Sequence, residues 1–237
     1  MCNKSHKPVA LITGASRGIG AAAAFALSQK GYHLALIARS ENSLKTLQTN
    51  LPGESIRCIG SVSDKKFVEQ AIAATLEAFR HIDLAILNAG VGSFGDIHTI
   101  DEEAYDTMMD VNVKGSFLFA QRVTAVMKKA SRGQFIFIAS DVSTRTFSEG
   151  AVYCASKYAQ HALADALRKE VRAYGIKVGV IYPGLTATNF GDSDPGEAHK
   201  AEWLQPKDIA DAIVYMSSAP AHVTIDSLML HPMEQEW

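Results

Sequence analysis

Short hydrophobic runs alternate along this chain with longer stretches whose apolar residues recur at helical spacing. The runs are rich in Val, Ile and Leu and read PVALIT (8–13), HLALIA (33–38), IDLAILN (82–88), QFIFIAS (134–140) and IKVGVIY (176–182), with a weaker run near 55–60. Continuous apolar runs suit strands that are buried on both faces, as in parallel sheets. We therefore predict a parallel sheet built from these segments.

Helical patterns occupy the intervals between the predicted strands, near 18–30, 64–79, 101–130, 150–174 and 206–218. This alternation predicts an α/β fold in which a parallel sheet is wound by helices on both sides. The length of 237 residues, 47% of them hydrophobic, is enough for one such domain. We therefore expect residues 1–237 to form a single domain.

Signals at the ends of the predicted helices support these assignments. Thr99 with Glu102, and Ser61 with Asp64, have the spacing of capping boxes, in which two side chains satisfy the first backbone N–H groups of a helix. Gly175 follows the long helix and is typical of a helix stop.

Charge and cysteine content narrow the function classes. The formal net charge is −2 and the isoelectric point is near 6.4, so the chain has no broad basic field for nucleic acid or an anionic membrane surface. The cysteines Cys2, Cys58 and Cys154 are too scattered for a disulfide framework, and no pair has metal-ligand spacing. We expect small-molecule chemistry, no metal and a reducing, cytoplasmic setting.

The apolar segments of the chain indicate neither a membrane span nor an export signal. The first residues, MCNKSHKP, are polar and lead straight into a strand pattern, so we expect no signal peptide. The longest apolar runs, such as AAAAFAL from Ala21, are far shorter than the roughly 20 residues that span a bilayer.

A glycine-rich turn between the first strand and the first helix predicts a nucleotide site. TGASRGIG (13–20) places glycines at 14, 18 and 20, where a backbone without Cβ atoms lets a pyrophosphate reach the N–H groups at a helix start. The same residues also satisfy G-x-S-x-G, the nucleophile elbow of hydrolases, with Ser16 as nucleophile. Against that alternative, no glycine-rich oxyanion loop precedes the turn, and Gly20 would have no purpose.

Two arginines favour NADP over NAD. A dinucleotide fold that binds NAD usually offers a carboxylate to the ribose 2′-hydroxyl about 20 residues after the glycine turn. Here the second strand ends in Ala38-Arg39, and Arg39 with Arg17 is suited to hold a 2′-phosphate by charge-assisted hydrogen bonds. Both arginines are otherwise ordinary solvated side chains.

Tyr153 and Lys157 are the candidates for proton transfer. They lie four positions apart in a predicted helix and so share one face. A phenol has a pKa near 10, and a neighbouring ammonium, helped by a cationic nicotinamide ring, is the right charge to lower it. Ser140 ends a predicted central strand, where a ligand crevice opens, and can hydrogen-bond a carbonyl oxygen. Asn112 is a candidate to hold a water that relays protons to Lys157.

Taken together, these motifs resemble the short-chain dehydrogenase/reductase family over nearly the whole chain. The matching segments, in order, are TGASRGIG (13–20), NAG (88–90), Asn112 in VNVKG, Ser140, YCASK (153–157) and YPGLTAT (182–188). The resemblance implies a Rossmann-type fold and hydride transfer between a nicotinamide and a carbonyl or alcohol carbon.

The resemblance also implies a role for each matched residue. Tyr153 would be the general acid/base, Lys157 would lower its pKa and hold the ribose, Ser140 would fix the substrate oxygen, and Asn112 would support the proton relay. The residues implied to contact the cofactor are Gly14, Ser16, Arg17, Gly18, Ile19, Gly20, Arg39, Asn88, Ala89, Gly90, Tyr153, Lys157, Pro183, Gly184, Thr186 and Thr188. The helices at 101–130 and 150–174 would form a homodimer or homotetramer.

The chain departs from common family patterns at three places. Leu87 stands where many members have a first Asn before Asn-Ala-Gly, and Ser61 stands where many have an Asp beside the adenine. The stretch 222–232 lacks the glycine pair that ends ketoacyl-carrier-protein reductases and looks more like the endings of sepiapterin-reductase-type or hydroxy-acid-dehydrogenase-type members.

The substrate is expected to lie among three loops that carry aromatic residues. These are the segments 91–96, 141–147 and 189–200, which contain Phe94, Phe147 and Phe190 respectively, and Arg145. The segment 189–200 has no clear period and is rich in Gly, Asp and Ser, so we expect it to be a flap over the site.

The sequence therefore predicts an NADP(H)-dependent oxidoreductase, a carbonyl reductase that acts on a small ketone, aldehyde or secondary alcohol. Two alternatives remain: a non-catalytic NADP-binding sensor or scaffold, and a serine hydrolase that uses Ser16.

Overall fold

A computed structural model of the chain describes residues 7–192 and 194–236. Cys2 and Ser193, the second within the predicted flap at 189–200, lie outside the described residues. Seven strands of the described part form one parallel sheet in the order β3-β2-β1-β4-β5-β6-β7. They are β1 Val9–Thr13, β2 His33–Ala38, β3 Ser55–Ile59, β4 Leu84–Leu87, β5 Gly133–Ile138, β6 Ile176–Pro183 and β7 Ser227–Leu230.

Helices cover both faces of this sheet. They are α1 Gly18–Gln29, α2 Glu41–Asn50, α3 Lys65–Phe79, α4 Glu102–Met108, α5 Ser116–Ala130, α6 Ala151–Val171 and α7 Pro206–Ser217. The strand order and the two helical layers are those of a Rossmann-type doubly wound fold. The fold class predicted from the alternation of strands and helices is confirmed.

The core has two halves because alternate side chains of each buried strand point to opposite faces. On β2, Leu34 and Leu36 pack with apolar residues of α1, α2 and α7, whereas Ala35 and Ile37 pack with those of α3, α5 and α6. Every residue of β1 is buried, which explains why its run contains no polar alternation.

Two elements lie outside the predicted set. Helix α2 has only Leu44 as a fully buried residue, so its apolar period is weak; the Ser40 hydroxyl at its start accepts a hydrogen bond from the Ser43 N–H at 3.4 Å. Strand β7 is a short strand at the edge of the sheet, and its extended conformation depends on pairing with β6, where Val180 lies opposite Ser227.

The predicted capping boxes were wrong in position. Asp101, and not Thr99, caps α4 by accepting from the Ala104 N–H at 2.6 Å. Asp64 caps α3 itself, through the N–H groups of the two residues that follow Lys65. In both places a carboxylate directly precedes the first turn and is the stronger acceptor.

The predicted helix at 101–130 is interrupted by a π-helical turn, Met109–Gly115, between α4 and α5. Such turns accommodate one extra residue and often lie at functional sites.

Gly175 ends the long helical segment with φ at 69°, as expected of a left-handed stop residue. Among the described residues, no helix is both long enough and apolar enough to cross a membrane.

Candidate functional site

The carboxyl ends of β1, β4, β5 and β6 open into one cavity of about 740 Å³. It lies where the strand order reverses between β1 and β4, which is where ligands bind in open α/β sheets. Nearly all predicted site residues line it. The exceptions are Gly20 and Asn112, which lie behind its wall.

The glycine turn is packed too closely for a side chain at its third glycine. A Cβ on Gly20 would lie 2.2 Å from the Gly14 carbonyl oxygen and 2.7 Å from the Asn88 amide nitrogen. The turn therefore folds back on the end of β4 and leaves its open side to the cavity. This cradle at the start of α1 fits the pyrophosphate of a dinucleotide.

Asn88 joins the ends of β1 and β4 beneath that cradle. Its amide nitrogen donates to the carbonyl oxygens of Thr13 and Gly14 at 3.0 and 3.2 Å. The Thr13 hydroxyl in turn accepts from the N–H groups of Asn88 and Ala89 at 2.9 and 3.1 Å. Asn88 and Ala89 thus hold the turn in shape as well as line the cavity.

The two candidate phosphate-binding arginines border the same end of the cavity. Arg17 precedes α1 and Arg39 follows β2, and both side chains are exposed. Exposed guanidinium groups at this edge are free of buried structural roles and suit an anionic group on a cofactor ribose.

Lys157 is buried beside Tyr153 on α6. The lysine is 3% exposed, its amine donates to the Ile138 carbonyl at 3.3 Å, and it lies 5.8 Å from the centre of the tyrosine ring. Burial disfavours the charged amine and lowers the pKa of Lys157 to about 7.

The pKa of Tyr153 differs from the sequence-based expectation that the lysine lowers it. Burial raises the pKa of Tyr153, and the Asp141 carboxylate raises it further, whereas a hydrogen bond from Ser140 acts in the opposite direction. The physical reason is that desolvation of the phenolate outweighs the hydrogen bond from Ser140.

Ser140 lies directly after β5 and faces the cavity. Its hydroxyl caps the short 3₁₀ turn Asp141–Ser143 and donates to the Asp141 carboxylate at 3.0 Å. The hydroxyl is thus held by its own loop near the phenol of Tyr153.

Asn112 lies in the π-helical turn and is fully buried. Its amide exchanges two hydrogen bonds with the backbone of Val91, at 2.8 and 2.9 Å, and donates a third to the Ser156 hydroxyl at 2.9 Å. Both Asn112 and the Lys157 amine approach Gly90, where a Cβ would lie 3.4 and 3.5 Å from them. The side chain therefore joins the loop after β4 to α6 behind the cavity wall.

Aromatic rings enclose the phenol on the substrate side. The Phe94 ring lies 5.3 Å from the Tyr153 ring, edge to face, and the Phe190 ring lies 5.6 Å from it. Phe147 lies 5.9 Å from Phe94. This wall of the cavity is apolar and favours a hydrophobic ligand over a hydrated one.

Sequence reasoning missed several residues that also line the cavity. Gly60 and Val62 flank Ser61 after β3, and the signal for them was available, because they end a strand beside β2. Trp203 and Gln235 had no local signal. They are brought to the cavity by the chain after β6 and by the C-terminal segment.

The hydrolase alternative receives no geometric support. Among residues 7–192 and 194–236, no side chain hydrogen-bonds Ser16, so the hydrolase hypothesis lacks its general base there. Within the same ranges, no three His, Cys, Asp or Glu side chains are grouped as ligands of a metal ion.

Comparisons with known proteins agree with this geometry. The family model described as short chain dehydrogenase matches residues 8–197. An uncharacterised oxidoreductase of Staphylococcus epidermidis is 35% identical over 233 residues, covering 97% of this chain and 99% of the relative.

Solved structures show the same similarity. An alcohol dehydrogenase from the archaeon Thermococcus sibiricus, complexed with 5-hydroxy-NADP, superposes with a TM-score of 0.91 at 33% identity and covers 97% of this chain and 98% of its own. A serine dehydrogenase complexed with NADP⁺ has a TM-score of 0.88 at 27% identity, with coverage of 97% and 96%.

Proposed function

The chain belongs to the short-chain dehydrogenase family, and from this premise we propose that it is an NADP(H)-dependent oxidoreductase that interconverts a ketone or aldehyde and its secondary or primary alcohol. The observation that carries the proposal is the convergence of Ser140, Tyr153 and Lys157 on the cavity that the glycine turn also lines.

The cradle and its two arginines support a dinucleotide with a 2′-phosphate. The turn around Gly20 fits a pyrophosphate, and Arg17 and Arg39 are suited to the additional phosphate. The structural neighbours from T. sibiricus and the serine dehydrogenase were solved with NADP-type ligands, which favours the same choice here. When bound, the cofactor supplies or accepts a hydride at its nicotinamide.

The protein's own groups handle the proton and the substrate oxygen. In carbonyl reduction, Ser140 and Tyr153 hold the oxygen, and Tyr153 transfers its phenolic proton to it as negative charge develops. The buried amine of Lys157 has a pKa of about 7, so part of it is protonated near neutral pH. In this ammonium form it balances the negative charge of the phenolate that Tyr153 leaves after giving up its proton. Asn112 fixes the loop and helix that hold this lysine.

The substrate body that fits this site is apolar. Phe94, Phe147 and Phe190 surround the space in front of Tyr153. Arg145 and Lys200 on this side already have carboxylate partners, since Arg145 pairs with Asp141 and the Lys200 amine lies 3.2 Å from Glu197. A neutral ketone with an aromatic or aliphatic body therefore suits the site better than an anionic one.

Turnover assays test the proposal. Purified protein is incubated with NADPH and a panel of aromatic ketones, diketones, pteridines and keto acids, and with NADP⁺ and hydroxy acids, and the NADPH absorbance is followed. We expect NADPH oxidation with at least one neutral carbonyl compound. Tight NADPH binding without any turnover across the panel would favour the sensor or scaffold, and ester cleavage that depends on Ser16 would favour the hydrolase.

Helices α4, α5 and α6 are proposed to form a homo-oligomer interface. Tyr105, Phe117 and Tyr158, one on each helix, are 46%, 45% and 41% exposed, so each of these helices presents an aromatic side chain that a second copy of the chain could cover. Sedimentation equilibrium should give a dimer or tetramer mass, and Phe117→Glu should lower it; a monomeric wild-type protein would contradict this.

The cytoplasmic location and the single domain spanning residues 1–237 stay predictions of the same proposal. Fractionation of the source cells and a single cooperative calorimetric transition are the corresponding measurements.

A further inference from the structure

The C-terminal segment returns to the cavity after β7. Strand β7 ends at Leu230, whose carbonyl accepts from the Gly184 N–H at 2.8 Å, and a turn follows in which the Gln235 N–H donates to the Pro232 carbonyl at 3.1 Å. This turn brings the Gln235 side chain to the cavity, which it lines together with the loops after β5 and β6. The C-terminal segment therefore contributes a side chain to the wall of the site.

The hydrogen bonds of the sheet stop short of the two loops that Gln235 contacts. In the described chain, the last backbone bond between β5 and β6 runs from the Ala139 N–H to the Ile181 carbonyl at 2.9 Å. Pro183, two residues further along β6, has no N–H with which to continue the ladder. The Ser140 hydroxyl lies 3.5 Å from the Pro183 carbonyl, which is too long for a strong hydrogen bond. Beyond this point the two loops therefore receive little support from each other's backbone.

The Gln235 amide bridges these two loops. Its nitrogen donates to Oδ2 of Asp141, the residue after Ser140, at 2.9 Å. Its oxygen accepts from the N–H of Leu185, the residue after Gly184, at 2.9 Å. Only one orientation of the amide satisfies both contacts, because a carboxylate accepts hydrogen bonds and an N–H donates them. One side chain therefore ties the loop after β5 to the loop after β6.

Glutamine is the side chain that meets both requirements at this position. Glutamate has no donor for a carboxylate when it is ionised, leucine has neither donor nor acceptor, and asparagine carries the same amide on a chain that is one methylene shorter. The fit is also close, because a Cβ on Gly184 would lie 2.2 Å from the Gln235 amide oxygen and 2.6 Å from His231 Cδ2. The amide therefore fills a space that the loop after β6 leaves open for it.

The carboxylate at one end of the bridge is itself held in place. Asp141 is 4% exposed, Arg145 pairs with its Oδ2, and His231 Nε2 lies 3.4 Å from the same oxygen. Burial alone would raise the pKa of Asp141, but Arg145 and the other donors hold that pKa below its usual value. Asp141 is therefore ionised at neutral pH and accepts the hydrogen bond from Gln235.

We propose that Gln235 is a positioning residue that fixes the gap between the two loops, and so sets where a substrate oxygen held by Ser140 lies relative to the cofactor beside Gly184. The inference rests on the proposed function and extends it to a residue that no local motif marks. Without the bridge the separation of the loops varies, and a misplacement of about 1 Å at the reacting atoms can lower the rate by about 100-fold.

Gln235→Leu removes both hydrogen bonds and keeps a side chain of similar size. We expect kcat for NADPH-dependent carbonyl reduction to fall by about 10- to 100-fold. The dissociation constant of NADPH should change by less than about threefold, because the glycine turn and its arginines remain. Glu234→Gln, at the exposed neighbouring position, is the matched control and should leave kcat unchanged. An unchanged kcat in Gln235→Leu would overturn the proposal.

Gln235→Glu tests the donated hydrogen bond itself. The introduced carboxyl keeps an acceptor for the Leu185 N–H. When it is protonated it donates to Asp141 as the amide does, and when it is ionised it repels Asp141. The neighbouring carboxylate should raise the pKa of the introduced group well above its ordinary value of about 4.3. We therefore expect the kcat of the variant to approach that of the wild type near about pH 5, and to fall about 10-fold or more below it by about pH 8.

The ratio of the two kcat values isolates the bridge from the other charged or titratable groups around it, because both proteins contain them. These groups are Arg145 on the loop after β5, His231 in the C-terminal segment, Tyr153 and Lys157 on α6, and Glu197, His199 and Lys200 across the cavity. Gln70→Glu, which adds the same carboxyl on the exposed side of α3, should give a ratio that does not vary with pH. A pH-independent ratio for Gln235→Glu would overturn the proposal, since its effect would then be steric.

The same assays separate positioning from direct contact with the substrate. A positioning role slows all carbonyl substrates by similar factors. A loss in Gln235→Leu that is confined to substrates with a second polar group would show direct contact and would overturn the proposal. If Gln235→Leu does not fold, the pH dependence of Gln235→Glu decides.

Absence of NADP(H)-dependent turnover in the wild-type protein would instead refute the proposed function. The bridge is then measured by urea unfolding of Gln235→Glu. Because the folded pKa of the introduced carboxyl is raised, the stability of the variant relative to the wild type should be greatest near about pH 5 and should decrease as the pH rises toward about 8. A difference in stability that does not vary with pH would show that the bridge to Asp141 does not form.

Discussion

Asn112 and Val91 hold each other through a pair of hydrogen bonds, with the Val91 N–H donating to the asparagine oxygen at 2.8 Å and the asparagine nitrogen donating to the Val91 carbonyl at 2.9 Å. This pairing connects the π-helical turn to the loop after β4. Asn112 does not line the cavity, but its side chain holds together two of the segments that do.

Removing that side chain should destabilise the protein. Asn112→Ala leaves the partly buried Val91 N–H and carbonyl without these partners and removes the buried bond to the Ser156 hydroxyl, so we expect a loss of about 2–4 kcal/mol in the free energy of unfolding. Urea unfolding measures it, with the exposed helical Asn50→Ala as control. A loss no greater than that of the control would show that the pairing contributes little.

Tyr153→Phe should lower kcat by roughly 10²–10⁴-fold, because the phenolic proton is the one transferred. NADPH affinity, measured by fluorescence titration, should stay within about threefold, since the ring and its contacts with Phe94 and Phe190 remain. Tyr215→Phe, exposed on α7 away from the cavity, is the control. Unchanged turnover of Tyr153→Phe is incompatible with the proposed mechanism.

Arg39→Ala should discriminate between the two nicotinamide cofactors. Loss of charge-assisted hydrogen bonds to a 2′-phosphate should weaken NADPH binding by about 10- to 100-fold and leave NADH binding almost unchanged. Titrations with both cofactors measure the difference, and Lys45→Ala, exposed on the neighbouring helix α2, controls for general charge. Equal effects on NADPH and NADH would rule out the phosphate contact.

Lys157→Met should stabilise the cofactor-free protein while it impairs turnover. Burial lowers the folded pKa of Lys157 from 10.5 to about 7, so between these values the unfolded chain binds more protons and wild-type stability rises with pH. The stability advantage of the variant should therefore be greatest below pH 7 and shrink as the pH rises toward 10. Urea unfolding at several pH values tests this, and an advantage independent of pH would contradict it.

Phe94→Ala should raise KM for an aromatic ketone by about 10-fold, in line with the roughly 1.5–3 kcal/mol of burying an apolar side chain, and change kcat less. Phe25→Ala, exposed on α1 away from the site, is the control. An unaltered KM would place the substrate body elsewhere in the cavity.

Much of the fold was accessible from local sequence patterns. The apolar runs at 8–13 and 33–38 were identified as strands because both of their faces are buried, and the helices with wide apolar stripes were identified from their period. Helix α2 was not predicted because a single buried leucine gives no apolar stripe. Strand β7 was not predicted because it is a strand by virtue of its pairing with β6 and not of its composition.

The sequence by itself determined which chemical groups were available and where local geometry placed them. The glycine turn after β1, and Tyr153 and Lys157 on one helix face, follow from spacings within a few residues. Only the tertiary structure decided their electrostatics and their neighbours, because burial and long-range contact depend on the whole packed chain. It raised the pKa of Tyr153 where a lowered one was expected, and it brought Gln235 to Asp141 across 94 positions of sequence.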